Sequence, residues 1–241
     1  MKYTLGFNVD HIATIRNARG ENYPSLLDLT KMAIDAGAKQ ITAHLREDRR
    51  HIKDDDIWLL KNNISVPLNM EMAVTDEMVN IACKVRPDWV CLVPENRNEI
   101  TTEGGLNIQS EYHRIKNIIP ALKTSGIKIS LFIDPIVDHI VLAYDLGVDA
   151  IEINTGKYSN VSFLEKPIEA SNIAEKAFLA KSMGLNVHAG HGLNIQNIHH
   201  ISQIKEITEF NIGHFLISYA LFVGLKTSIS RMISKIDISR S

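Results

Sequence analysis

Residues able to move protons or bind anions recur where short apolar runs of the sequence end. In order these are Asn8 and Asp10-His11; His44 and Arg46; Asn69 and Glu71; Glu95; Asp134; Glu152 and Asn154; His188 and His191; and Asn211 with His214. Glu71, His44 and His191 are the candidate proton-transfer groups, because imidazole and carboxyl side chains exchange protons near neutral pH once their surroundings tune them. Taken singly, each is more often a satisfied loop or capping residue than a catalyst. Recurrence at successive run ends gives them weight together. His113, His139, His199 and His200 fall on helical segments and are read as structural.

The stretch "HLREDRRH", residues 44–51, places three arginines directly after an apolar run. A guanidinium forks onto phosphate oxygens in bidentate fashion, so Arg46 and His51 are expected to hold an anionic group. Arg49 and Arg50 stay open between that role and an ion-pair network with Glu47, Asp48 and Asp54–Asp56. A second anion site is expected at "HAGHGL" (188–193) with "NIGH" (211–214), where Gly192 and Gly213 let backbone N–H groups approach a phosphate.

No lysine closes the sixth run, and Lys157 lies beyond it in a loop, which argues against an enzyme-bound imine and leaves acid/base chemistry open. Metal chemistry is the main rival, since His and carboxylate ligands suit it. Against it, Asp10 and His11 are adjacent and would point apart on an extended strand. Metal catalysis is therefore placed second to cofactor-free acid/base chemistry.

These residues need elements to position them. Eight β-rich runs ("YTLGFNVD", "QITAHL", "VPLNMEM", "WVCLVPE", "IKISLFID", "AIEINTG", "LNVHAGH" and "FNIGH") alternate with segments of helical period. The helical segments are 24–36, a shorter one starting near 54–56, 76–85, 111–125, 137–146, 165–183, 195–204 and 215–236. Glycines in "DAGAKQI", "TSGIKIS", "DLGVDAI" and "SMGLNV" mark helix C-termini. The pattern predicts an α/β fold, a (β/α)8 TIM barrel forming a single domain over residues 1–241 with small extra helices and a disordered last few residues. An open doubly wound sheet would call for GxGxxG or GxxxxGK[ST], and neither occurs. On a barrel the polar run ends share the catalytic rim. The loop "PENRNEITTEGGLNI" is expected to act as a lid hinged at Gly104-Gly105.

The chain of 241 residues carries a formal charge of −2, without the basic footprint of a nucleic-acid binder. Cys83 and Cys91 lie in apolar surroundings, which excludes a disulfide scaffold. With no signal-peptide pattern and no apolar run of membrane-spanning length, a cytoplasmic protein that binds neither membrane nor nucleic acid is expected.

The segments "GFNVDHIATIRNARG", "ITAHLREDRRHI", "NMEMAVTDEM", "LVPENRNEITTEGGL", "SLFIDP", "AGHGL" and "NIGH" resemble, in order, signature segments of the pyridoxine 5′-phosphate synthase (PdxJ) family. The resemblance runs from Gly6 to about Leu225. It implies a cytoplasmic barrel enzyme, a homo-octamer built from dimers. Without cofactor, the enzyme would condense 3-amino-2-oxopropyl phosphate with 1-deoxy-D-xylulose 5-phosphate to pyridoxine 5′-phosphate, phosphate and water. By the same resemblance Glu71 and His44 are proton acceptors and His191 a proton donor. Asn8 and Arg19 contact the amino ketone, whose phosphate is held by Gly192, Gly213 and His214. Asp10, His11, Arg46, His51 and Thr101 engage the deoxyxylulose phosphate. Two positions depart from the family pattern, Asn154 (usually His) and His188 (usually Asn), and both are expected near the rim.

Overall fold

Each apolar run becomes a strand, and the eight strands pair in parallel and in chain order until β8 meets β1 and the sheet closes. The computed structural model describes residues 3–95 and 104–241. The strands are β1 (Thr4–Asn8), β2 (Gln40–His44), β3 (Leu68–Met72), β4 (Trp89–Leu92), β5 (Lys128–Ile133), β6 (Ala150–Asn154), β7 (Asn186–Gly190) and β8 (Ile207–Ile212). Around them lie α1 (Asp10–Arg19), α2 (Leu26–Asp35), α3 (Asp54–Asn63), α4 (Asp76–Val85), α5 (Ile108–Thr124) and α6 (Val137–Leu146). These are followed by α7 (Gly156–Asn160), α8 (Lys166–Ser182), α9 (Ile198–Ser202), α10 (His214–Val223) and α11 (Leu225–Arg240). This is the expected TIM barrel, with α1, α7 and the α10–α11 pair as additions to the strand–helix alternation.

Local chemistry accounts for most boundaries. Ser25 and Thr75 cap α2 and α4 by accepting from the backbone N–H of Asp28 and Met78. The glycines read as helix stops, Gly37, Gly126, Gly147 and Gly184, all have positive φ. Strands such as β2 and β6 are buried along their whole length because one face packs on helices and the other fills the barrel. The outer layer is apolar: Ile41, Met70, Leu131, Ile151, Val187 and Phe210 belong to the main core. The inner face is strongly polar, with Gln40, Thr42, Asn69, Ser130, Glu152, His188, Glu209 and Asn211 all buried.

Two expectations are corrected. Strand β1 ends at Asn8, and Asp10-His11 open helix α1 instead of extending the strand. Asp10 in the first turn, Arg16 and Arg19 in the last and left-handed Gly20 after it are helix signals in their own right. The C-terminal helical stretch is broken at Gly224 into α10 and α11, since Gly224 adopts φ 79°, ψ 151°, outside helical space. Helix α11 runs to Arg240, whose Nε donates to Ser202 O at 2.7 Å and whose Nη2 donates to Ile204 O at 3.0 Å. Those bonds and the buried Ile236 tie α11 to the barrel's lower edge.

Candidate active site

The ends of β1, β2 and β3 bring Asn8, Asp10, His44 and Glu71 together. Asn8 Nδ2 donates to Asp10 Oδ2 at 3.0 Å and reaches Glu71 Oε2 at 3.5 Å. Asp10 Oδ1 accepts the backbone N–H of His44 at 2.8 Å, so the first turn of α1 is pinned across to β2. His44 lies between two carboxylates, with Nδ1 3.9 Å from Glu71 Oε2 and Nε2 3.0 Å from Glu95 Oε1. Glu95 also accepts the N–H of Glu47 at 3.0 Å.

Burial sets the electrostatics. It pushes the Glu71 carboxyl well above the ordinary range, and the charges of Asp10 and Glu152 push it further. Asp10 is raised by burial against the pull of His44. Burial alone would also raise Glu95, but the hydrogen bond and charge of His44 hold it below the usual value. Ligand atoms of Asp10, His44 and Glu71 all lie within 4.8 Å of one another, a donor set that a divalent cation could use.

His11, His51 and His214 form a second group beside this one. The His11 ring is 4.9 Å from that of His214 and 6.2 Å from that of His51. Thr14 on α1 bonds His51 Nδ1 at 2.9 Å. Burial lowers both His11 and His51, and for His51 the charges of Arg50 and Arg46 add to it. Ring N–H groups clustered beside an arginine can donate to the oxygens of a phosphate. Arg46 is 3% exposed, with Nε 3.6 Å from Asp48 Oδ1. The two undecided arginines belong to the ion-pair network. Arg49 bridges Asp54 at 3.0 Å and Glu77 at 2.5 Å, and Arg50 pairs with Asp48 at 2.6 Å. The bond from Arg50 is the main reason that Asp48 is held down at about 2.

The third proton-transfer candidate arrives from β7. His191 has φ 80°, a left-handed backbone uncommon outside glycine, and it is held there from outside. Thr155 Oγ1 donates to both Gly190 O at 2.7 Å and His191 O at 2.6 Å. A Cβ at Gly156 would come within 2.8 Å of the His191 ring, so the glycine opening α7 leaves room for it. Gly192, at φ 74°, follows directly, and Gly213 packs so closely on Asn8 that a Cβ there would lie 2.8 Å from the Asn8 Cβ. His214 opens α10 with its ring against His11.

Not every expected residue joins. The Arg19 side chain, at the far end of α1, is 82% exposed, and its ion pair is with Glu21 at 3.9 Å. Thr101 and most of the loop read as a lid fall outside the described residues; where the chain resumes, Gly105 N donates to Asp134 Oδ1 at 3.1 Å. Asn154 is at the rim as expected, donating to Asp134 Oδ1 at 2.9 Å. His188 is not: its ring packs edge-on against Trp89, the first residue of β4, so it lies at the base of the barrel. It sits two residues inside the strand end, on the inward face. Lys157 points away, 73% exposed and paired with Glu169 at 2.6 Å. Sequence reasoning assigned no role to Glu95 or Glu152, although both stood among the polar run ends; their closeness to His44 and Glu71 comes from strand register and barrel closure.

Comparison with known proteins is consistent in sequence and in fold. A family model described as pyridoxal phosphate biosynthesis protein PdxJ matches residues 5–238. A pyridoxine 5′-phosphate synthase of Zymomonas mobilis is 49% identical over 98% of this chain and 93% of its own length. One of Bdellovibrio bacteriovorus is 46% identical over 96% and 97%. Among solved structures, KGPDC from Streptococcus mutans superposes with a TM-score of 0.68 over 100% of both chains at 10% identity. The tryptophan synthase A-subunit of Pyrococcus furiosus does so at 0.65 over 96% of this chain and 98% of its own, at 12% identity. These structural likenesses speak for the barrel alone.

Proposed function

The chain belongs to the PdxJ family of pyridoxal phosphate biosynthesis proteins, and from that premise we propose how its rim residues divide the work of pyridoxine 5′-phosphate synthesis. It is an enzyme of that type, acting on phosphorylated small molecules. The substrates of this reading are 3-amino-2-oxopropyl phosphate and 1-deoxy-D-xylulose 5-phosphate. The amine of the first adds to the ketone of the second, water leaves, and the resulting imine joins the two substrates to each other. Ring closure then requires C–H and O–H protons to be removed, further water to depart and the deoxyxylulose unit's phosphate to leave, with water taking its place, while the amino ketone's phosphate is kept as the 5′-phosphate.

One observation carries the assignment of the base: Glu71 sits part-buried among Asn8, Asp10 and His44 with its carboxyl pushed above its ordinary value. A carboxylate raised towards neutral pH is the stronger base. Glu71 and His44 accept protons, with Glu95 holding the far nitrogen of His44. His191, presented by its left-handed backbone, donates to departing oxygen. Arg46 and His51, with Asp10 and His11, bind the deoxyxylulose phosphate, and Thr101 is assigned there by resemblance. Asn8, Gly192, Gly213 and His214 hold the amino ketone. Arg19, exposed and remote in its own chain, meets substrate only from a neighbouring copy, in keeping with a homo-octamer built from dimers.

No cofactor takes part in this reading, and the protein is a single catalytic domain of the cytoplasm. Among the described residues no helix is long and apolar enough to cross a membrane. A metal-dependent reaction is the second reading, favoured by the convergence of Asp10, His44 and Glu71. Weighing against it, both Asp10 oxygens already accept protein N–H groups and His44 Nε2 is engaged with Glu95. The test is turnover by chelator-treated protein given both substrates, followed by pyridoxine 5′-phosphate absorbance and phosphate release. Product is expected without added metal, and Glu71→Gln is expected to lose at least about a thousandfold in kcat while remaining folded. Activity that returns only with a divalent cation would hand the site to the metal reading.

A further inference from the structure

Below Glu71 the barrel interior holds a second set of ionisable groups. Glu152 on β6 is 3% exposed, and Asn211 Nδ2 donates to its Oε2 at 2.7 Å. The same Asn211 nitrogen donates to Glu209 Oε1 at 3.1 Å, so one amide bridges two buried carboxyls. Glu209 Oε1 also accepts from Gln40 Nε2 at 2.6 Å and lies 3.2 Å from His188 Nδ1. Thr42 Oγ1 donates to Asn211 Oδ1 at 3.2 Å, which fixes the amide's orientation with its NH2 towards the two glutamates. Gly190 makes room: a Cβ there would lie 2.2 Å from Glu152 Oε1.

The donors are unequally shared. Two hydrogen bonds converge on one oxygen of Glu209, with the His188 ring nitrogen 3.2 Å from the same atom, the setting of a carboxylate, whereas the bond described for Glu152 is the single one from Asn211. Two carboxyls joined by one amide in a water-poor interior do not both ionise readily, and the better-solvated one takes the charge. We propose that Glu209, fixed at the barrel base by His188 and Gln40, is a positioning residue for Glu152: acting through Asn211, it keeps Glu152 protonated, so that the reaction site has a neutral acid beneath Glu71.

The surroundings agree. Facing Glu152 are Glu71 from β3, Cys91 from β4, His188 from β7 and Glu209 from β8. Its registered neighbour on β5 is the uncharged Phe132. Burial first, then the charge of Glu209, pushes Glu152 up to about 8. Removing the Glu209 charge would therefore let Glu152 ionise at lower pH, and removing the His188 ring nitrogen beside Glu209 would act in the same direction by weakening the hold on that charge.

The role in turnover rests on the synthase reading above, but the protonation claim does not, so the two are tested separately. Infrared difference titration of the full-length protein reads the carboxylic acid band of Glu152, assigned by its loss in Glu152→Gln. In the parent the band should disappear with a midpoint near 8. In Glu209→Gln the midpoint should fall by about one pH unit. In His188→Phe, which keeps a ring against Trp89, it should fall by a smaller amount, and this variant decides the matter if Glu209→Gln does not fold. The alkaline limb of kcat should follow the band in each folded variant, with KM for both substrates little changed. A Glu152 already ionised at pH 7, or a midpoint unmoved in the folded variants, would overturn the proposal. A band that moves while the kcat limb stays in place would overturn the role of Glu209 in the reaction.

Discussion

Arg46 is buried although it belongs to a charge run of the kind usually left in solvent. Its guanidinium lies on the rim near His51, on which its charge acts, while Arg49 and Arg50 spend theirs on neighbouring carboxylates. Arg46→Ala should therefore raise KM for the deoxyxylulose phosphate by about tenfold or more, the worth of a charge-assisted bidentate contact, and change KM for the amino ketone less. The opposite pattern in steady-state kinetics would mean that the two anion sites are exchanged. At this scale the sequence was a good guide to which residues gather at the strand ends, because polar side chains there are conspicuous among apolar neighbours. It was silent on how they pair. The bonds of Asp10 to the His44 backbone and of Glu95 to its ring join residues 34 and 51 positions apart.

At the scale of elements, α1 carries Asp10 and His11 at its start and is anchored near its end. Arg16 grips Asp56 of α3 in a bidentate pair at 2.6 and 2.8 Å, and Asn17 Nδ2 donates to the backbone of His51 at 2.7 Å. Asp56 also accepts the N–H of Lys53, so the pair ties α1 to the start of α3 and to the His51 loop. Arg16→Met leaves the Asp56 charge buried without its partner. A loss of about 3 kcal/mol is expected, lowering the melting temperature by on the order of 5–10 °C. KM for the deoxyxylulose phosphate should rise as His11 and His51 lose their mutual alignment. Circular-dichroism melting with kinetics checks both, and Arg16→Met/Asp56→Leu should recover part of the stability by removing the orphaned charge. Only the start of α1, Asp10-His11, reads as strand in the sequence, and the rest of the helix is assigned to no element there. Its first residues continue an apolar β-rich run, and the aspartate that starts the helix counts in the sequence as a polar run end for binding substrate, which hides its value as an acidic residue in a helix's first turn.

For the whole molecule, several large apolar side chains are exposed: Phe163, Leu164, Ile168 and Phe178 at α8, and Leu221 and Phe222 at the end of α10. Such residues are commonly covered in assemblies of symmetric copies. If Arg19 serves a neighbour's site, Arg19→Ala and Glu71→Gln proteins, each inactive alone, should complement one another when co-assembled. Random pairing into dimers would restore roughly a quarter of parent activity, because half the dimers would hold one complete site of two. Mixed oligomers that stay inactive would confine Arg19 to its own chain.

The sequence by itself determined the alternation of strands and helices, most of their boundaries and the identity of the rim residues. These follow from periodicity, capping and left-handed glycines, which act over a few residues of chain. The tertiary structure decided what each polar residue faces. His188, two residues from a strand end, points to the base of the barrel, where it meets Glu209 and Trp89. Glu152, Asn211 and Glu209 form one buried chain because β6, β7 and β8 pair in a particular register. Register and closure are properties of the whole sheet, set by how all eight strands pack their outer faces against helices. No local spacing encodes them.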